Sequence, residues 1–156
     1  MSKTLKDDRL STQFGMELAK RIKATLGVVI VYPKNMDQIE EKYGKEGGKE
    51  ILEQVLDRIR DNTRKVDLVT RMDNSCIAVI SIDHNIDGPK IMAKKIYDIL
   101  NGEGYSRMGM PVDVVVSVGG TSGKPRNEDA LEKFIDMAKT ALKKAKTRDS
   151  LSFVYD

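Results

Sequence analysis

The stretch RKVDLVTRMDNSCIAVI, from Arg64 to Ile80, constrains the fold more than any other part of the chain. It reads as a helix end, a strand over Val66 to Arg71, a tight turn at Asp73-Asn74, and a returning strand over Ser75 to Ile82. Asp and Asn tolerate positive φ and hydrogen-bond their own backbone, which favours a short hairpin connection. An antiparallel hairpin is therefore expected in mid-chain.

Periodicity places helices and further strands around it. Phe14, Leu18, Ile22 and Leu26 recur every four residues and predict a helix over about 8–25. Leu26 to Tyr32 is a continuous apolar run, the pattern of a strand buried on both faces, closed by Pro33 and Asn35. Helical spacing runs from Met36 through Ile39 and Tyr43 and breaks at Gly44, Gly47 and Gly48. It then continues as Ile51, Leu52, Val55, Leu56 and Ile59. Ile91, Ala93, Ile96, Tyr97 and Leu100 predict the next helix, ended by Asn101-Gly102. Val112 to Val118 reads as a strand, Ala130 to Ala145 as a helix, and Leu151 to Tyr155 as a last short strand. The fold class is α/β, a single domain with a central mixed sheet flanked by helices.

Composition removes several functional classes. At 156 residues, with 40% apolar and 33% charged residues, the chain is long enough for a sizeable core and is not of disordered type. Its longest clearly apolar run is too short for a bilayer, and the start shows no secretory signal, so a cytoplasmic protein without a membrane role is expected. One cysteine and one histidine make neither an internal disulfide nor a zinc set. Net charge is only +3, and the lysine cluster of Lys139, Lys143, Lys144, Lys146 and Arg148 reads as a solvated helix face. With no aromatic stacking platform beside it, nucleic-acid binding is not expected.

The order of motifs resembles the GGDEF family of diguanylate cyclases, whose nucleotide-cyclase palm-like fold the chain is expected to share. Asp8-Arg9-Leu10-Ser11 is similar to the Asp-x-Leu-Thr that opens such domains. Ile39-Glu40-Glu41-Lys42-Tyr43-Gly44, Gly48 and Ile51-Leu52 match the segment after the first strand. Ser117-Val118-Gly119 matches a later strand, and Ala138, Ala141-Leu142 and Ala145-Lys146 match the last helix. The resemblance covers residues 8–156 and leaves 1–7 as an N-terminal extension.

Catalysis in that family needs carboxylates to hold two magnesium ions. By alignment the metal aspartate falls at Tyr32, the acidic residue of the signature at Ser75 and the following glutamate at Cys76. Asp73 and Asn74 replace both signature glycines, and their side chains would crowd the base and sugar. The guanine-reading positions carry Glu40 and Lys49, and a lysine has donors only. The resemblance thus implies a degenerate domain with no catalytic residues, no metal, no cofactor and no diguanylate cyclase activity. Lys146 remains as a phosphate contact, although Asp149-Ser150-Leu151 replaces the Gly-Arg-Asn that should follow.

Arg64 and Asp67 keep the Arg-x-x-Asp pattern at which family members bind cyclic di-GMP as an inhibitor, with five residues separating Asp67 from Asp73. A carboxylate can accept from a guanine edge while a guanidinium fork donates to phosphate or to O6 and N7. The family's second arginine falls at Lys95, which keeps charge without the fork. The string also occurs at Arg58/Asp61 and Arg126/Asp129, so only its position carries meaning. The expected function is an inactive GGDEF-like receptor for cyclic di-GMP using Arg64, Asp67 and Lys95, with ligand able to bridge two copies and an unidentified protein partner. The alternative is an interaction scaffold without nucleotide.

Gly119 to Pro125 resembles a phosphate-binding P-loop, but its glycine spacing is one residue short and Pro125 stands at the magnesium-binding position. It reads as the connection after a strand. Cys76, without a partner histidine, reads as structural, and the methionines as core filler.

Overall fold

The structure, a computed structural model, describes residues 23–72, 75–127, 129–147 and 150–156, together with residues 13, 17, 18, 20 and 21. Its elements are β1 (Thr25–Pro33), α1 (Met36–Asp61), β2 (Leu68–Arg71), β3 (Ile77–Asp83), α2 (Gly88–Leu100), β4 (Gly102–Arg107), β5 (Met110–Val114), β6 (Val116–Gly123), α3 (Ala130–Lys146) and β7 (Leu151–Tyr155). Five strands form one sheet in the order β2-β3-β1-β6-β7, and β4 with β5 forms a separate two-stranded ribbon. Only β6 and β7 pair in parallel, so the sheet is mixed.

β1 is the central strand, and its side chains alternate between two cores. Val29 and Val31 point to the layer of α1 and α2, with Ile51, Val55, Leu56, Ile59, Ala93 and Ile96. Leu26, Val28 and Ile30 point to α3, against Leu131, Phe134, Ile135, Ala138 and Leu142. Burial on both faces explains the unbroken apolar run. The expected helix over 8–25 is corrected at its end: Leu26 lies in β1, which starts at Thr25. Residues 17, 18, 20 and 21 are helical, whereas Phe14, Ile22 and the 1–7 extension lie outside the described residues.

The expected break among three glycines falls at one of them. Gly44 has φ +76° and ψ 177°, a conformation closed to ordinary side chains, and it kinks α1; Gly47 and Gly48 continue the helix. The hairpin pairs Leu68–Arg71 with Ile77–Ile80, antiparallel. Asp73 and Asn74, its expected turn, lie outside the described residues, and Ser75 takes φ 62°.

Two expectations fail around residue 115. The run Val112 to Val118 is not one strand: Met110–Val114 pairs with β4, while Val116–Gly123 pairs with β1. Asn35 makes the break. Its amide donates to the Asp113 carbonyl (2.8 Å) and accepts from the Val115 N–H (3.0 Å), as a backbone unit would. The Gly119–Gly123 segment is not a connection but part of β6, buried throughout, where Gly119 lets the strand approach the α3 backbone at Leu142.

β4, which periodicity missed, is pinned to α1 by three residues spaced four apart. Glu50 takes Arg107 Nε (3.1 Å), and Gln54 exchanges two hydrogen bonds with the Ser106 backbone (2.7 and 3.1 Å). The Arg58 guanidinium stacks 3.6 Å above the ring of Tyr105, whose hydroxyl donates to the Leu100 carbonyl (2.7 Å).

Candidate functional site

Two places hold the residues singled out from the sequence. The first lies on the α3 side of the sheet, where Tyr32 is the last residue but one of β1 and Cys76 precedes β3. Both pack against the α3-side core with Leu68, Met72 and Met137. The Met72 N–H donates to the Cys76 carbonyl (2.8 Å), closing the hairpin. Lys146, near the end of α3, places its Nζ 4.0 Å from the centroid of the Tyr32 ring. The ring's negative face attracts the cation, an interaction worth ~0.5–1 kcal/mol where exposed. Lys146 and Lys139 also act on the Cys76 thiol, but burial outweighs them and pushes its pKa above the usual value.

This corner offers a phenol, the Ser75 hydroxyl and a protonated thiol. Magnesium demands hard, preferably anionic oxygen, and these groups do not fit it. Among the described residues no three His, Cys, Asp or Glu side chains gather to hold a metal ion. Ser117, opposite Tyr32 in the β1–β6 register, has a buried hydroxyl without a hydrogen-bond partner among the described residues. Glu40 and Lys49 lie exposed on α1, and Lys49 pairs with Glu46 (3.6 Å).

The second place lies between the end of α1, the turn into β2, and α2. Arg64, Asp67 and Lys95 line one open depression of about 430 Å³ with Asp61, Asp83 and Met92. Arg64 and Asp67 are already joined. Asp67 Oδ2 accepts from the Arg64 backbone N–H (2.8 Å), and Oδ1 accepts from Arg64 Nη2 (3.0 Å). The same Nη2 donates to the Ile82 carbonyl (2.8 Å). The Asp67 side chain is 2% exposed and that of Arg64 51%. Its bond to Asp67 holds the Arg64 pKa above the ordinary guanidinium value despite desolvation, so the charge is permanent.

The pair also borders a second depression, of about 460 Å³, with Arg60, Lys65 and Val69. The two hollows differ in charge. The first combines Arg64 and Lys95 with three carboxylates; the second gathers Arg60, Arg64 and Lys65 around Asp67 alone. Sequence reasoning set Asp61 aside because its Arg-x-x-Asp string stands at the wrong position, and missed Asp83, which announces itself only as the last residue of β3.

The family profile of the diguanylate cyclase GGDEF domain matches residues 3–150. The chain belongs to the GGDEF family. Its fold is that of the GGDEF domain of YfiN (TpbB) from Pseudomonas aeruginosa, with a TM-score of 0.87 at 17% identity, covering 97% of this chain and 90% of that one. The coiled coil and GGDEF domain of DgcB from Caulobacter crescentus, solved in complex with c-di-GMP, gives a TM-score of 0.82 at 14% identity, covering 96% and 80%. An uncharacterized protein, y4lL, of Sinorhizobium fredii is 26% identical over 110 residues, which are 70% of this GGDEF chain but only 13% of that protein. No helix among the described residues is long and apolar enough to cross a membrane.

Proposed function

We propose that this GGDEF domain recognises cyclic di-GMP without making it. The observation that carries the reading is the convergence of Arg64 and Asp67, from the turn between α1 and β2, with Lys95 of α2 on one depression. Each hollow has the charge for one part of such a ligand. Carboxylates on the Asp61, Asp67 and Asp83 side suit the N1–H and N2–H₂ donors of guanine, and the cations around Arg64 suit phosphate. A ligand straddling Arg64 meets both. Swinging the half-exposed guanidinium off Asp67 also gives up its bond to the Ile82 carbonyl, a cost of about 1.5–3 kcal/mol that the ligand's own contacts must offset. That movement frees Oδ1 while the Arg64 N–H keeps Oδ2 in place. The second base of the ligand remains free to engage another copy of the domain.

Loss of catalysis is supported by the donor set at the former metal corner and by the lysine resting on Tyr32. Calorimetry with cyclic di-GMP on wild type and Arg64→Ala tests the receptor role: heat with the first and none with the second is expected. Incubation with GTP and magnesium or manganese, followed by chromatography, should give no cyclic di-GMP.

One observation favours a second reading, an interaction scaffold that binds no nucleotide. The Asp67 carboxylate is nearly buried and fully used within its own turn. Absence of heat with wild type, together with an intact fold, would select the scaffold.

A further inference from the structure

Among the described residues the sheet ends on β7, and the strand's own sequence lacks the usual protection. Alternate residues of β7 face β6: the Ser150 carbonyl accepts from the Val118 N–H (3.2 Å), and the Asp156 N–H donates to the Ser122 carbonyl (2.9 Å). By the same alternation the N–H and C=O groups of Leu151, Phe153 and Tyr155 point outward, and among the described residues no strand pairs with them. Natural proteins blunt such edges with charge, proline or bulges. Leu151-Ser152-Phe153-Val154-Tyr155 has no charged residue and no proline, and its pairing with β6 runs without a register shift.

A groove of about 470 Å³ runs beside this edge on the α3 side. Met137, Ala141 and Val154 supply its apolar lining, and Lys133, Asp136 and Lys144 its polar rim. Charge along the groove is uneven. At one end Lys133 is bound to Asp156 (2.6 Å). Toward the other, Lys144 lines the groove with exposed Lys143 next to it on α3, and no acidic residue follows Asp136 on the helix; Lys139 and Lys146 lie instead toward Cys76 and Tyr32. On the opposite face the Phe153 and Tyr155 rings meet edge to face at 5.4 Å, and the Tyr155 hydroxyl donates to Asp87 (2.9 Å), so the edge is held rigid.

We propose that β7 is a docking edge for an extended segment of a partner protein, which adds to the sheet as a sixth strand. The outward groups of Leu151, Phe153 and Tyr155 supply its backbone hydrogen bonds. The groove takes its alternate apolar side chains, and Lys143 and Lys144 select acidic residues at the end that lies beside the close of α3. Main-chain pairing gives affinity, and the lysines give orientation and sign.

The test uses the full chain and a fluorescein-labelled heptapeptide, Val-Ser-Val-Ser-Glu-Ser-Glu, whose valines and glutamates lie on one face of a strand, with a counterpart carrying lysine in place of glutamate. Anisotropy should show saturable binding of the acidic peptide only. Amide exchange should slow about tenfold or more at Leu151, Phe153 and Tyr155, while Ser152 and Val154, already turned toward β6, stay unchanged. Lys143→Glu/Lys144→Glu, on an exposed helix face, should weaken the acidic peptide about tenfold and favour the basic one. Tyr155→Pro removes one outward N–H and should weaken the acidic peptide. Three results overturn the proposal: no binding, binding without protection of those three amides, or protection that rises with protein concentration alone, which would make a second copy the occupant.

Discussion

Replacing Asp67 by asparagine separates a carboxylate that holds its own turn from one held ready for a ligand. In the structure Oδ2 takes the Arg64 N–H at 2.8 Å and Oδ1 takes Nη2 at 3.0 Å, with the side chain 2% exposed. An amide has one acceptor oxygen. If it faces the backbone N–H, its NH₂ group faces the guanidinium, donor against donor. The loss is one charge-assisted hydrogen bond in a nearly buried place, about 1.5–3 kcal/mol. Arg64→Ala removes the guanidinium and its bond to the Ile82 carbonyl but leaves Asp67 its backbone bond, and because the lost side chain is half exposed, water takes its place, so its cost is about 1 kcal/mol. Urea denaturation of both variants measures the difference. Thermal melts should show Asp67→Asn lower by about 3–12 °C, using about 2–4 °C per kcal/mol for a chain of this size. A neutral Asp67→Asn, or an Arg64→Ala that is the more damaging of the two, would refute the claim that the carboxylate organises the turn.

Three further outcomes follow from the packing. Tyr105→Phe leaves the Leu100 carbonyl without its donor and should cost about 1 kcal/mol by urea denaturation. Burial raises the Tyr105 pKa above its ordinary value of 10.0 against the pull of Arg58, so its stabilising contribution is full below that value and is lost as pH climbs through the folded one; Tyr105→Phe should flatten that alkaline decline. Gly119→Ala drives a methyl group into the α3 backbone at Leu142, so a loss of about 3 kcal/mol or more is expected in the urea midpoint. Cys76, with its pKa raised by burial, should react slowly with iodoacetamide at neutral pH in the folded protein and quickly in urea, as followed by mass spectrometry.

The layers were legible where burial imposes a clean pattern. β1 is an unbroken apolar run from Leu26 to Val31 because both its faces are covered, and α3 repeats its buried residues at helical spacing. The ribbon was illegible for physical reasons. β4 begins Gly-Glu-Gly and shows no alternation, and the connection to β5 turns through Met108 and Gly109, both at positive φ, instead of an Asn-Gly pair. The join of β5 to β6 was invisible because a side chain forms it: Asn35, eighty residues away, substitutes for a strand. At the candidate site, the place of Arg64 and Asp67 was readable from order along the chain. Their mutual bond was not, because a three-residue spacing says nothing of whether a guanidinium closes on its neighbour or extends to solvent.

The lysine resting on Tyr32 changes what this corner of the domain requires from its surroundings. A carboxylate in that position would need a counterion and would respond to acid and to the supply of divalent metal. Attraction between an ammonium and an aromatic face needs no ion from solution. Chelators and magnesium depletion should therefore leave the contact between α3 and the end of β1 unaltered, a robustness that suits a permanent structural joint.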